Sequence, residues 1–229
     1  ILQQSKFVKS GEMIANITHQ FRQPLNNISY ILINLKKKFE NNSLDEIYFD
    51  KKFIQANNQL EFLSKTIEDF KEFYTNSKDK NNFSVKEAIS NALTILSADL
   101  KSNNIELDLK FDTFEEVEIF GVKSEFTQVI LSIISNAIDV LKNIENPKIK
   151  ILVSSNSAEV TISLADNGGG IKSKNIKKIF EPYFSTKEQG FGIGLYLSKM
   201  IIEESFLGKI SVENQKEGAV FSLFIEKAL

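Results

Sequence analysis

The chain has 229 residues, of which 42% are hydrophobic and 25% charged. That is enough for one or two domains with a buried core and excludes a disordered or collagen-like polymer. A formal net charge of −2 sets up no field that draws nucleic acid or an anionic membrane, and no apolar run reaches the ~18 residues that span a bilayer. With no cysteine and one histidine, His19, disulfides, thiolate metal sites, a cysteine nucleophile and a multi-histidine metal centre within one chain are excluded.

The chain opens at Ile1-Leu2-Gln3-Gln4 without Met or a signal-peptide pattern, and reads as a fragment of something longer. Residues 1–79 are interrupted only by Gly11 and Pro24, whereas the other nine glycines lie in residues 80–229. The stretch Lys78-Asp79-Lys80-Asn81-Asn82 between them reads as a linker, and neither part is basic enough for a nucleic-acid footprint. In the first part, apolar residues fall at Ile14, Ile17, Phe21, Leu25, Ile28, Leu32, Leu35 and Phe39, then at Phe53, Ala56, Leu60, Leu63, Ile67, Phe70 and Tyr74. Steps of three and four predict two helices with coiled-coil-like seams. The polar turn Asn41-Asn42-Ser43-Leu44-Asp45 makes them an antiparallel hairpin. One such pair buries little, so a homodimer forming a four-helix bundle is expected, with a monomeric hairpin packed on the second domain as the lesser alternative.

His19 lies two residues from both Ile17 and Phe21, a rotation of about 200° on a helix, so it is expected to point away from the seam. A solvent-facing imidazole on a rigid helix is a usable nucleophile at neutral pH. Pro24, five residues on, removes a helical hydrogen bond and tends to bend the helix just past it.

In residues 80–229 the predicted strands are Ile105–Phe111, Val117–Gly121, Ile149–Ser154, Val160–Ala165, Lys209–Glu213 and Ala219–Ile225. The predicted helices are Val85–Lys101, Lys123–Asn143 and Ile193–Ser205. Turns at Asn156-Ser157-Ala158 and Gln215–Gly218 pair strands as hairpins. The fold class is therefore α+β: a helical hairpin followed by an α/β sandwich with a mixed, largely antiparallel sheet and helices on one face. The 123–143 helix carries Phe126, Val129, Ile130, Ile133, Ile134, Ala137 and Leu141 on one side.

Three stretches have no ordinary packing explanation. Asn136 and Asp139 stand one helical turn apart on a helix otherwise dominated by apolar residues, a solvated polar edge being the plain alternative for either residue alone. Asp166-Asn167-Gly168-Gly169-Gly170-Ile171 follows a strand directly, and three glycines in a row weaken a fold unless the backbone must turn sharply or approach something closely. Gly190-Phe191-Gly192-Ile193-Gly194-Leu195 runs into an amphipathic helix, whose first N–H groups and positive dipole end suit a phosphate. The spacing is neither the G-x-G-x-x-G dinucleotide fingerprint nor a P-loop.

Taken in order, these motifs resemble the catalytic core of a two-component sensor histidine kinase. His19-Gln20-Phe21-Arg22-Gln23-Pro24-Leu25 resembles the H box, Ser135-Asn136-Ala137 the end of the N box, and Asp166 to Gly170 the first glycine box. Phe180-Glu181-Pro182-Tyr183-Phe184 resembles the F box, with Ser185-Thr186-Lys187 after it, and Gly190 to Leu195 the second glycine box. The resemblance covers nearly the whole chain. It implies a dimerisation and histidine-phosphotransfer hairpin over residues 1–79, then a GHKL-type ATP-binding domain over residues 80–229.

The resemblance also implies roles. His19 would be the phosphoacceptor, attacking the γ-phosphate of ATP through a ring nitrogen. Asn136 would bind Mg²⁺, and Asp166 would accept from the adenine amino group. Gly168 and Gly170 would let the backbone pass close to the base. Gly190, Gly192 and Gly194 would flank a lid over the phosphates, and Lys187 would reach a phosphate as a point charge. Asp139, Ile171, Ile193 and Leu195 complete the nucleotide-binding set within these motifs. The implied partners are a second copy of the chain and a response regulator receiver domain, with no nucleic acid and no membrane contact. The implied location is cytoplasmic, any anchor lying in an N-terminal sensor region.

Three positions and one spacing depart from the pattern. Gln20 stands beside the phosphoacceptor where an acidic residue that helps take the proton is usual, and an amide cannot act as a base. Gln23 replaces the Asn or Thr linked to dephosphorylating the partner, and Ser132 replaces a frequent N-box Asn, leaving more of the metal to Asn136. Three residues separate Thr186 from Gly190, a short lid. A nucleotide-binding dimer that signals by conformation, with little kinase activity, is the alternative. A GHKL ATPase of the chaperone or mismatch-repair type would leave His19 unexplained.

Overall fold

The computed structural model describes residues 24–75, 80–112, 116–187 and 192–228, without side chains at 61, 62 and 64–75. The chain divides into two compact units, Ile1–Ser77 and Lys78–Leu229.

In the first unit, helix α1 covers residues 24–40 and α2 covers Glu46–Thr75. Asn42 ends α1 with φ 51°, a left-handed conformation that asparagine tolerates. Asp45 caps α2 by accepting the Tyr48 N–H at 2.7 Å. The Lys38 ammonium lies 4.3 Å from the Tyr48 ring centroid, a contact across the turn between the two helices.

The less exposed positions of α1 are Pro24, Ile28, Ile31, Leu35 and Lys38, and those of α2 up to residue 63 are Leu63, Gln59, Ala56, Lys52 and Tyr48. Ile28, Leu35, Ala56 and Leu63 are thus sheltered as expected. Leu25, Leu32, Phe39, Phe53 and Leu60, also expected in the seam, are 50–71% exposed. The apolar face is wider than one neighbouring helix covers. Ile14, Ile17 and Phe21 fall outside the described residues, as do the side chains of Ile67, Phe70 and Tyr74.

The second unit starts with β1 (Asn81–Ser84). Asn81 and Asn82, expected in a linker, are strand residues paired antiparallel with β3 (Glu118–Gly121). The cause is Phe83, which is buried against Phe126 and Phe206 with ring centroids 5.8 and 6.3 Å away. The single helix expected over 85–101 is instead α3 (Val85–Ile95) and α4 (Ser97–Ser102). Leu96 leaves the helical region between them, where Ser97 Oγ donates to Thr94 O at 2.7 Å, a local bond that competes with the helical ladder.

The remaining elements are β2 (Glu106–Asp112), α5 (Lys123–Leu141), β4 (Lys148–Ser155), β5 (Glu159–Asp166), α6 (Ser173–Ile176), α7 (Gly194–Met200), β6 (Lys209–Asn214) and β7 (Ala219–Glu226). The main sheet has the order β2-β4-β5-β7-β6. Among the described residues only the β2–β4 pair is parallel, so the sheet is mixed and largely antiparallel as the hairpin turns predict. Strand alternation buries Ile149, Ile151 and Val153 of β4 and Val160, Ile162 and Leu164 of β5. α5 packs on these strands and lies between α3 and α7. It buries Phe126, Val129, Ile130, Ile133, Ile134, Ile138 and Leu141, each worth about 1.5–3 kcal/mol. Ile138, not the expected Ala137, completes that face.

The helix expected over 193–205 also changes character. After α7 a π-helical turn covers Ile201–Ser205, and the Phe206 N–H bonds Ile201 O, five residues back, at 3.2 Å. The extra residue lets Phe206 complete the ring cluster, 5.9 Å from Phe126.

Candidate functional site

Asn136 and Asp139 lie one turn apart on the C-terminal half of α5, both partly exposed beside its buried face. Lys187, from the loop before α7, donates through Nζ to Asn136 Oδ1 at 2.9 Å and to Asp139 Oδ2 at 2.7 Å. Lys142 Nζ reaches Asp139 Oδ1 at 2.8 Å. Lys142 is missing from the sequence-derived set, although its i,i+3 spacing from Asp139 is a signal for such a pair. Burial works against charging the Asp139 carboxyl, but the Lys142 and Lys187 ammoniums outweigh it and hold its pKa below the ordinary value.

The Lys187 and Asp139 side chains are 38% and 37% exposed, and an ion pair that wet contributes at most about 1 kcal/mol. Stability therefore does not account for it, whereas position does. An amide oxygen and a carboxylate oxygen already converge on one cationic group, and these are the donors a hard divalent ion takes. Among the described residues, no cluster of three or more His, Asp or Glu is placed to hold a metal. Mg²⁺ fits this pair only as an ion sharing the protein's oxygens with phosphate and water.

Asp166 ends β5. Its Oδ1 accepts the Gly168 N–H at 2.8 Å and the Ala219 N–H at 3.4 Å, while Oδ2 makes no hydrogen bond among the described residues. Burial pushes the carboxyl pKa up, and the two N–H donors offset part of that. Beside it lies a small apolar pocket lined by Ile133, Ala137, Ile149, Leu164 and Phe221. Ala137, on the same α5 turn as Asn136, is part of this lining. The slot holds only about 10 Å³, the room of one water, so a flat heterocycle with an exocyclic amino group would set that amino group on the carboxylate and only an edge against the apolar lining. Gly168 packs against α5, where a Cβ would lie 2.7 Å from Val140 Cγ2. Gly170 turns the loop with φ 76°, and Ile171 follows, partly buried.

Gly190 lies outside the described residues, and so do His19 and Gln20. Gly192 accepts the Tyr183 N–H at 2.9 Å, tying the Phe180–Phe184 segment to the second glycine stretch. Its φ is 62°, and a Cβ there would run into Phe184 O. Ile193 is buried in the core, Gly194 opens α7, and Leu195 is partly buried. A Cβ on Gly194 would lie 2.7 Å from Ser132 Oγ, so glycine here lets α7 approach α5 closely. Gly192→Ala combines backbone strain with a steric clash, and we expect a loss of roughly 2 kcal/mol. Thermal unfolding should show this as a Tm lower by about 4–8 °C; an unchanged Tm would mean that the loop re-forms without cost.

Several known proteins resemble this chain. The family described as histidine kinase-, DNA gyrase B- and HSP90-like ATPase matches residues 121–229. The two-component sensor PprA of Pseudomonas aeruginosa is 28% identical over 230 residues, covering 96% of this chain and 25% of that protein. Sporulation kinase A of Bacillus subtilis is 28% identical over 228 residues, covering 99% of this chain and 36% of that protein. Among solved structures, the catalytic domain of histidine kinase ThkA is 31% identical with a TM-score of 0.60, covering 66% of this chain and 97% of that one. The structure of ThkA in complex with the response regulator protein TrrA is 27% identical with a TM-score of 0.72, covering 98% of this chain and 64% of that one. The chain belongs to the two-component sensor histidine kinases and represents their catalytic core. It spans between 25% and 49% of the length of the curated relatives it matches.

Proposed function

We propose that the chain is an ATP-dependent protein-histidine kinase that phosphorylates His19 from Mg-ATP and passes the phosphoryl group to an aspartate of a response regulator receiver domain. The observation that carries this reading is the meeting, on the second unit, of a cation-holding oxygen pair on α5 with an apolar slot edged by Asp166. In this reading the slot and Asp166 Oδ2 take adenine, and the segment Gly192–Leu195 faces the phosphates. Lys187 leaves Asn136 and Asp139 for a phosphate oxygen, freeing the Asn136 amide oxygen for the metal. Mg²⁺ would be held through the Asn136 amide oxygen and would supply positive charge that neutralises the phosphates. A neutral nitrogen of His19 then forms a bond to the γ-phosphorus as the bond to the ADP oxygen breaks. Gln20 has no basic group, so the imidazole proton passes to water.

The exposed stripe of Leu25, Leu32, Phe39, Phe53 and Leu60 supports a homodimer in which a second hairpin covers it. The receiver-domain partner is supported by ThkA, whose solved complex contains a response regulator. No helix of the described residues is long and apolar enough to cross a membrane. The cytoplasm, as the compartment that supplies ATP, is the proposed location of the reaction.

Mass spectrometry after incubation with Mg-ATP tests the central claim, the expected result being one phosphoryl group on the peptide containing His19. ATP binding without any such adduct would favour the conformational, weakly catalytic reading. A second result is expected of Asn136→Ala. Calorimetry should show Mg-ATP binding weakened by roughly tenfold or more, the scale of one lost contact to a charged group, with metal-free nucleotide binding changed far less. Equal losses would make Asn136 a structural residue.

A further inference from the structure

The loop that carries Asp166 is held from a part of the chain distant in sequence. Asn214, the last residue of β6, accepts the Ile171 N–H through Oδ1 at 2.8 Å and donates through Nδ2 to Ile171 O at 2.7 Å. Its side-chain amide pairs with both backbone groups of Ile171, as a neighbouring strand would. Gly170 makes room for it, since a Cβ there would lie 2.8 Å from Asn214 Oδ1. The following turn adds two contacts. The Gly169 N–H donates to Glu217 O at 2.9 Å, and Gly218 sits so near Asp166 O that a Cβ would collide with it.

We infer that Asn214 is a positioning residue for the base site, holding the Gly168–Ile171 backbone and through it the direction of the Asp166 carboxylate. This rests on the reading that the site takes an adenine nucleotide. The Asn214 side chain is exposed and belongs to no core cluster, so its two bonds do not serve packing. The Gly168 N–H is one of the two donors that orient Asp166, and it lies three residues from the point where Asn214 grips the loop. Loosening Ile171 therefore loosens the group that distinguishes an amino from a carbonyl substituent.

The test compares wild type, Asn214→Ala and Gln215→Ala in the full chain, titrated with ADP and GDP without metal. Gln215 is the control: among the described residues its side chain bonds Glu213 alone and makes no hydrogen bond to the loop. Asn214→Ala should weaken ADP binding roughly tenfold, the scale of having to order the loop on binding once it is no longer held in place. It should also lower the preference for ADP over GDP by a similar factor, while Gln215→Ala matches wild type. Hydrogen exchange on the ligand-free proteins should show faster exchange at the Ile171 amide in Asn214→Ala alone. An unchanged preference, or equal losses for both nucleotides with a lower Tm, would overturn the positioning role. Wild-type protein that binds neither nucleotide would overturn the reading of the site itself, and the inference with it.

Discussion

His19→Ala is expected to abolish incorporation of label from Mg-ATP, by roughly a thousandfold or more, and to leave ADP affinity within about twofold of wild type. His19 is the chain's single imidazole, so no second histidine can take over. It belongs to the unit Ile1–Ser77, whereas the Asp166 slot and the Asn136–Asp139 pair belong to Lys78–Leu229, which is why binding and transfer should separate. A phosphoramidate is labile in acid and stable in base, so wild-type label should vanish on acidification. Filter-binding assays at two pH values, with ADP titrations of both proteins, check each half of the expectation. Label retained in the alanine variant would place the phosphoryl group on another residue and end the case for His19.

Asp166 should make the site prefer ATP to GTP by a factor between about 10² and 10⁴. Its Oδ1 is engaged by the Gly168 and Ala219 N–H groups, so Oδ2 is the atom left to read the base. An ionised carboxylate only accepts. The adenine amino group satisfies it, whereas the guanine carbonyl would set two acceptors face to face in a partly buried slot. Asp166→Asn is the informative variant because it keeps an acceptor for the two N–H donors while turning the reading atom into a donor. ATP affinity should then fall about a hundredfold or more, with little change in Tm. Competition of GTP against a labelled ATP analogue measures the ratio for both proteins. Comparable affinities in wild type would remove Asp166 from base reading.

Much of the second unit is legible from local pattern. Alternation, strict in 160–164 and interrupted only by Leu152 in 149–153, fixes which side chains of β4 and β5 face inward, the Asn156 turn fixes their hairpin, and the Gln215–Gly218 turn fixes that of β6 and β7. The places where pattern fails share a cause. β1 is invisible because Asn81 and Asn82 are poor strand formers, and it exists because Phe83 has two aromatic partners more than 40 residues away. The break at Leu96 and the π-turn at Ile201–Ser205 are likewise too small to shift an apolar period yet decide where buried side chains point. In the hairpin, periodicity finds the apolar face but not its division: Ile28 and Leu35 are sheltered within the chain, while Leu25 and Leu32 remain open.

The same division runs through the site. By itself the sequence determined the chemistry available: one imidazole, two glycine stretches, an Asn and an Asp one helical turn apart, and an Asp at a strand end. These are local facts, set by residue type and by spacing along a helix or strand. Only the tertiary structure decided what each group meets. Lys187 bridges Asn136 and Asp139 across 51 and 48 positions, Asn214 grips Ile171 across 43, and Ile138 takes the place expected for Ala137 on the buried face of α5. Contacts at such separations depend on how α5, the sheet and the β6–β7 turn pack together. That packing is a property of all their buried faces at once, so no single motif carries it.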